Sequence, residues 1–252
     1  MAIWQSNISY KRLARLVLFA ITCFLLPQAS FSQIEENDYA SEFTAGVNLN
    51  TNGGLVGGVA FKYSRKVSTY QYTYYGLEIL NVKHPKETRL TNTSTGNSYI
   101  YAKANYLFPI RLQYGREIIL FHSAEEEGVQ VNFVGALGPT FGLVKPYMIE
   151  YDYGSYTRIE PYNPKSTRTP LGSGGLLTGF GKSKINPGLN LKAALSFQFL
   201  QFKGNVTGVE AGGILEAFSQ KVPLLVLDGS MQPQNRSFFS SVYLTIFFGF
   251  RN

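Results

Sequence analysis

Past its first 32 residues the chain has no cysteine and no tryptophan, and in all 252 residues it has two histidines. The single cysteine, Cys23, sits inside an apolar run. A lipid-anchored cysteine needs a small residue before it and a polar stretch after it, whereas here Thr22 precedes and Phe24-Leu25-Leu26 follow. A chain without this segment has no disulfide and no thiolate metal site. Two histidines without cysteine give no usual zinc-ligand spacing, so no cofactor is expected. No segment past residue 32 carries the apolar spacing of an amphipathic helix. A large excess of one charge is also lacking, the net being a modest +4. Beyond residue 32 there are 20 Lys and Arg against 16 Asp and Glu, scattered along the chain. Nothing in that distribution points to nucleic acid.

What is present begins with an export signal. Lys11, Arg12 and Arg15 form a basic region, Leu16 to Leu26 is apolar, and the small residues Ser30 and Ser32 place cleavage after Ser32. The apolar run is shorter than the roughly 20 residues that span a bilayer as a helix. The expected organisation is a signal peptide over 1–32, a short periplasmic segment over 33–41 and one β-domain over 42–252.

That domain alternates. The stretches 42–50, 55–65, 72–82, 99–114, 129–144, 189–199, 209–217 and 240–252 each carry apolar residues at every second position, separated by Gly, Asn, Pro and Ser. Asn52-Gly53 signals a tight hairpin turn. Pro109 cannot donate to a ladder, so a bulge is expected there. Alternation alone fits a secreted soluble β-sandwich, which is kept as an alternative. Three features favour a closed barrel. The middle strands are about 10 residues or longer, as a tilted membrane crossing requires. From the second hairpin on, connections alternate between short turns at one end and long loops at the other, as in outer-membrane barrels. The polar faces carry mid-strand charge: Lys62, Glu78, Lys103, Arg111, Lys192, Glu210 and Glu216. The fold class expected is therefore an all-β, antiparallel, up-and-down transmembrane barrel of about eight strands. Eight strands leave an interior just wide enough for side chains. The seven charges are expected to pair there and fill a narrow lumen. Seventeen tyrosines and nineteen phenylalanines suit interfacial girdles, although aromatics favour strands in any case.

Two stretches carry a family resemblance. "YLFPIRLQYG" (106–115) and "FVGALGPTFGLV" (133–144), with its Gly138-Pro139 step, resemble consecutive strands of the outer-membrane β-barrel domains of Bacteroidetes. A signal ending in "FSQ" fits that group. "GLEILNVKHPKE" (76–87), "QYGREIILF" (113–121) and "PGLNLKA" (187–193) look like signatures of an uncharacterised subgroup. The resemblance implies fold and location and transfers no catalytic residue. In such a chain the last strand is the recognition signal for the barrel assembly machinery. Here Val242, Leu244, Ile246, Phe248 and Phe250 have that form, with Arg251 and Asn252 following the final aromatic.

Candidate chemistry is sparse. His122 stands beside Ser123 with Glu125, Glu126 and Glu127 nearby, but neighbours on a strand point to opposite faces. His84 sits on a loop next to Pro85, where a solvent-facing ring is expected. Glu150 and Asp152 fall short of the six to eight oxygens calcium takes. Gly175 to Ser183 departs from the phosphate-loop spacing, with Leu176 where the first glycine would stand. The expected role is non-enzymatic, structural or partner-docking. The expected contacts are outer-membrane lipid, the assembly machinery and a surface partner through the 145–186 loop. A narrow channel or a lipid-processing enzyme is the alternative.

Overall fold

A computed structural model describes residues 39–122, 128–163, 166–202, 204–226 and 236–252. The expected signal peptide, Cys23 and most of the 33–41 segment lie outside these residues, as do Ser123 and Glu125 to Glu127. Thirteen strands follow in chain order. They are β1 (Ser41–Asn50), β2 (Gly54–Ser68), β3 (Gln71–Leu80), β4 (Thr88–Thr91), β5 (Ser98–Tyr101) and β6 (Asn105–Phe121). Then come β7 (Gln130–Pro146), β8 (Met148–Asp152), β9 (Thr157–Pro161) and β10 (Pro170–Ser173). The last three are β11 (Lys184–Phe202), β12 (Asn205–Val222) and β13 (Arg236–Arg251).

Eight of these form one closed antiparallel ring, β1-β2-β3-β6-β7-β11-β12-β13, in which β13 returns to pair with β1. The seam is in register from Glu42↔Arg251 to Asn50↔Tyr243. Beyond it, Asn252 N–H donates to the Ser41 carbonyl at 2.9 Å. A single ring leaves no second sheet to face it, so the sandwich alternative falls. Alternation along each strand divides the side chains between wall and lumen. Leu191 and Val242 are more than half exposed on the outer wall, while Lys192 and Tyr243 beside them are 3% exposed inside. Apolar outside and charged inside is the polarity of a transmembrane barrel. On the wall, Tyr63, Tyr75 and Tyr114 run side by side across β2, β3 and β6, with ring centroids 6.2 and 5.4 Å apart.

Two expectations are corrected in the fourth ring strand. It begins at Asn105, whereas the alternation starts at Tyr99, because Ala102 takes a left-handed φ of 59° and breaks the run. Tyr99 and Ile100 belong to the small hairpin β4–β5 instead. At its other end β6 runs on through Phe121. Pro109 makes no bulge, since the β6–β7 register is even through Pro109↔Gly142. Leu107 directs its carbonyl at Val82 N–H, so Pro109, two residues on, also turns its backbone toward the third strand. The β3–β6 ladder has its last pair at Ile79↔Ile110, so the missing donor falls where no ladder bond is required.

At one end of the ring the connections are 69–70, 122–129 and 203–204; at the other they are 51–53, 81–104, 147–183 and 223–235. The first of the latter is the Asn-Gly turn. Asn50 Oδ1 accepts Asn52 N–H at 3.0 Å there, and Gly54 takes a φ of 84°. The long connections build a cap. Hairpin β4–β5 meets the sheet β10-β8-β9 through Asn92 Nδ2 to the Pro170 carbonyl and Thr95 Oγ1 to the Leu171 carbonyl, both 2.8 Å. Tyr147, Ile149 and Tyr151 are buried beneath, with Tyr99 and Ile100 packed on them. The described part of 223–235 is tied in by Ala104 N–H to the Leu224 carbonyl and Val226 N–H to the Ala102 carbonyl.

A ring of eight strands bends sharply, so inward positions crowd the neighbouring backbone. At Gly115 a Cβ would fall on the Gly135 carbonyl oxygen and on Ala136. Gly115→Val is therefore expected to prevent closure, read as loss of the compact, heat-modifiable band on gels. Gly181→Ala, in open space on the cap side, is expected to keep that band.

Candidate functional site

The lumen is filled by ion pairs that the strand alternation aims at one another. At its centre Glu78 of β3, 1% exposed, holds Lys192 of β11 at 2.9 Å and Arg111 of β6 at 3.2 Å. Arg111 also grips Glu216 of β12 with two parallel contacts, 2.8 and 3.1 Å. This fork geometry is the strongest an arginine makes with a carboxylate. Lys192 reaches Glu210 of β12 at 2.7 Å and donates to Tyr74 Oη at 3.0 Å. Tyr243 donates to the same Glu210 at 2.7 Å. The chain of contacts thus crosses the barrel from β3 to β13.

A second cluster lies nearer the end that holds Arg251. Lys62 of β2 sits between Glu42 of β1 at 2.8 Å and Glu117 of β6 at 3.1 Å. Glu117 also accepts from Ser64 Oγ at 2.6 Å and Asn132 Nδ2 at 2.8 Å. Arg251 closes the cluster on Glu42 at 2.8 Å and lies over the Tyr39 ring at 3.9 Å. Tyr39 in turn stacks on Tyr72, centroids 4.5 Å apart, with Ile119 beside them. At the opposite mouth Val82, Leu107, Phe218, Val222 and Leu224 form an apolar plug.

Six of the seven expected charges, Lys62, Glu78, Arg111, Lys192, Glu210 and Glu216, lie inside the ring within these two clusters. Lys103 does not. Displaced from the strand by the break at Ala102, it is buried in the cap, where its Nζ meets Glu87 at 2.7 Å and the Tyr106 ring at 4.3 Å. Burial pushes its ammonium below the usual lysine range, and the Glu87 contact opposes that only in part. Sequence reasoning misses Glu42, Glu117 and Arg251. The signal that could find the two carboxylates is parity: Glu42 shares the phase of Thr44, and Glu117 that of Arg111.

A void of about 20 Å³ lies among Lys62, Tyr74, Lys192, Glu210 and Thr245. A cavity of that size holds on the order of one water. The two histidines stand at opposite ends of the barrel. His122 is exposed with its ring 5.2 Å from Tyr70, and His84 is buried in the cap connection. Glu150 and Asp152 lie on β8, and Asp152 accepts Gly154 N–H at 2.7 Å. Among the described residues no three His, Cys, Asp or Glu side chains gather as a metal site. Gly175 to Ser183 forms no helix beyond a single 3-10 turn at Phe180–Lys182. On the outer wall, Lys145 is covered by Tyr106 and Phe180, its Nζ 5.1 and 5.5 Å from their centroids.

No protein-family model matches the chain, and no curated protein matches it. Among solved structures it is similar to Ail, the attachment invasion locus protein of Yersinia pestis. In complex with the heparin analogue sucrose octasulfate, Ail has 11% sequence identity and a TM-score of 0.40, covering 84% of this chain and 97% of Ail. A second Ail structure gives 11% identity and a TM-score of 0.39, covering 85% and 99%.

Glu78 is shared by two enclosed cations, Lys192 and Arg111. Removing one partner of such a pair leaves uncompensated charge and costs about 3–5 kcal/mol. Glu78→Ala is expected to lower the unfolding free energy in detergent micelles by that amount, measured by urea titration. Gly181→Ala in parallel is expected to change it little.

Proposed function

We propose that the chain is an integral outer-membrane protein whose barrel is a closed stand and whose cap is the working surface, without catalysis or general transport. The observation that carries this reading is the filled lumen: paired charges through its middle, an apolar plug at one mouth and stacked tyrosines at the other. A porin needs a continuous water path. An enzyme on such a barrel needs a nucleophile and a base within hydrogen-bond reach. The histidines, at opposite ends, supply no such pair with each other. The long connections are folded and cross-bonded, which makes them a shaped surface on a rigid support, where binding residues commonly sit.

In this reading export by the N-terminal signal delivers the chain to the periplasm. The assembly machinery then takes hold of Val242, Leu244, Ile246, Phe248 and Phe250. All five project from the wall of β13, between 38% and 66% exposed, so the last strand presents an unbroken apolar face. Lipid covers the same face afterwards. The 145–186 loop, with its β8–β10 sheet, is the expected partner contact.

Planar-bilayer recording of purified protein tests the closed stand. The expected result is no steady conductance, and a stable porin-like level overturns the reading. Assembly is tested separately. Phe248→Ala with Phe250→Ala is expected to slow appearance of the folded band in cells several-fold, while protein refolded in detergent keeps its heat-modifiable migration. Equal rates in cells would remove the role given to these aromatics.

A further inference from the structure

The Gly-rich stretch that departs from the phosphate-loop spacing carries the most exposed large apolar side chain among the described residues, Leu177 at 82%. Leu176 beside it is 53% exposed, and Phe180 is 42% exposed. Apolar residues scattered singly over a surface are ordinary, but a group of them on a fixed backbone marks a contact. This backbone is held at both ends by Met148 of β8. Gly174 N–H donates to the Met148 carbonyl at 2.9 Å. At the other end Gly179 takes a left-handed φ of 85°, and a Cβ there would stand 2.9 Å from Met148 Cγ. Residues 175–178 are thus a short arch with held ends, and Leu176 and Leu177 lie on it.

The arch comes down on the barrel wall. Phe180, in the 3-10 turn that follows it, stacks on Phe108 of β6 with centroids 6.5 Å apart. It also covers Lys145 of β7, whose Nζ is 5.5 Å from the ring centroid. Phe108 alternates with the buried Leu107 and so has the outward phase. Register sets it in one row with Leu143 of β7 and Ile185 of β11, the last 69% exposed. That row belongs to the apolar face of the barrel, so Phe180 extends the lipid-facing wall into the cap. The charge around the arch has one sign. Between Glu160 and Glu210 the sequence has no Asp or Glu, while Lys182 and Lys184 follow the arch at once and are both exposed. Lysine stems let apolar neighbours sink into lipid while the ammonium stays at headgroup level.

We propose that Leu176, Leu177 and Phe180 form a foot by which the cap stands in the outer edge of the bilayer hydrocarbon, with Lys182 and Lys184 at the phosphate layer. The partner is the bilayer itself, in particular its anionic lipids, since apolar burial and attraction to anionic headgroups act together at such a surface. The proposal rests on the outer-membrane reading and adds a lipid contact outside the membrane-crossing strands. Through Met148 the foot ties the sheet β10-β8-β9 to the membrane surface.

The chain past residue 32 has no tryptophan, so a single introduced indole reports alone. Leu177→Trp places it in the foot. Leu191→Trp, on the wall of β11, is the reference for lipid contact. Both variants are checked for the heat-modifiable band before use. In nanodiscs of phosphatidylglycerol brominated on the upper half of its acyl chains, the fluorescence of each is expected to fall about twofold or more against unbrominated discs. Adding Lys182→Gln and Lys184→Gln to Leu177→Trp is expected to weaken its quenching, and unchanged quenching removes the role given to the lysines. If Leu191→Trp is quenched and Leu177→Trp is not, the foot is overturned while the barrel reading stands. A blue-shifted Leu177→Trp emission without quenching gives the arch to a protein contact instead, and also overturns it. If neither indole is quenched, the outer-membrane reading fails together with the foot.

Discussion

Enclosing charge in a ring of eight strands is the constraint from which the rest of the structure follows. A carboxylate or ammonium taken out of water is tolerated where a counter-ion and further hydrogen bonds meet it. Glu78 meets that condition with Lys192 and Arg111, and Glu117 meets it with Lys62, Ser64 and Asn132. Because the partners stand on different strands, each pair also fixes how those strands are placed across the lumen. A shift of one residue in any ladder would turn its charges toward the lipid and bring its apolar side chains inside. Pairing inside and apolar surface outside therefore specify one register together.

Small radius is the second constraint, and it separates the duties of barrel and cap. Inward glycines such as Gly115 allow neighbouring strands to bend past one another, and long polar side chains fill what remains. The wall and lumen are then committed to holding the ring shut. Chemical variety is left to the connections at one end, where the chain folds small sheets of its own and buries Tyr147, Ile149 and Tyr151 beneath them. The aromatic core under the cap is what turns long connections into a surface with a fixed shape.

Most of the ring is legible in the sequence because a strand displays its two faces to two different environments. In β11, Leu191, Lys192, Ala193 and Ala194 announce wall, lumen, wall, lumen without help from tertiary structure. Legibility ends where a local backbone event interrupts the phase. The alternation from Tyr99 to Tyr114 looks continuous, yet the left-handed turn at Ala102 moves Lys103 out of the lumen and into the cap. Gly115 looks like the end of a strand, which hides Glu117 two residues beyond it. The strands β8 to β10 are short and are held by contacts with the other connection, so little in their own sequence distinguishes them from a polar loop. His84 reads as a solvent-facing loop residue and is buried instead. Its burial depends on packing between segments far apart in the chain, which spacing does not reveal.

Arg251 lies at the far end of β13, the last strand of the ring, yet it supplies the guanidinium that faces Glu42 in the first. Synthesis delivers that strand after the other seven. Until it arrives, Glu42 and Glu117 share the single cation Lys62, and the seam has nothing to zip against. A polypeptide cut short ahead of β13 thus lacks both the edge and the second cation of this cluster in one stroke. The closing strand works as a latch and a counterweight together, coupling mechanical shutting to becoming electrically tolerable within the bilayer.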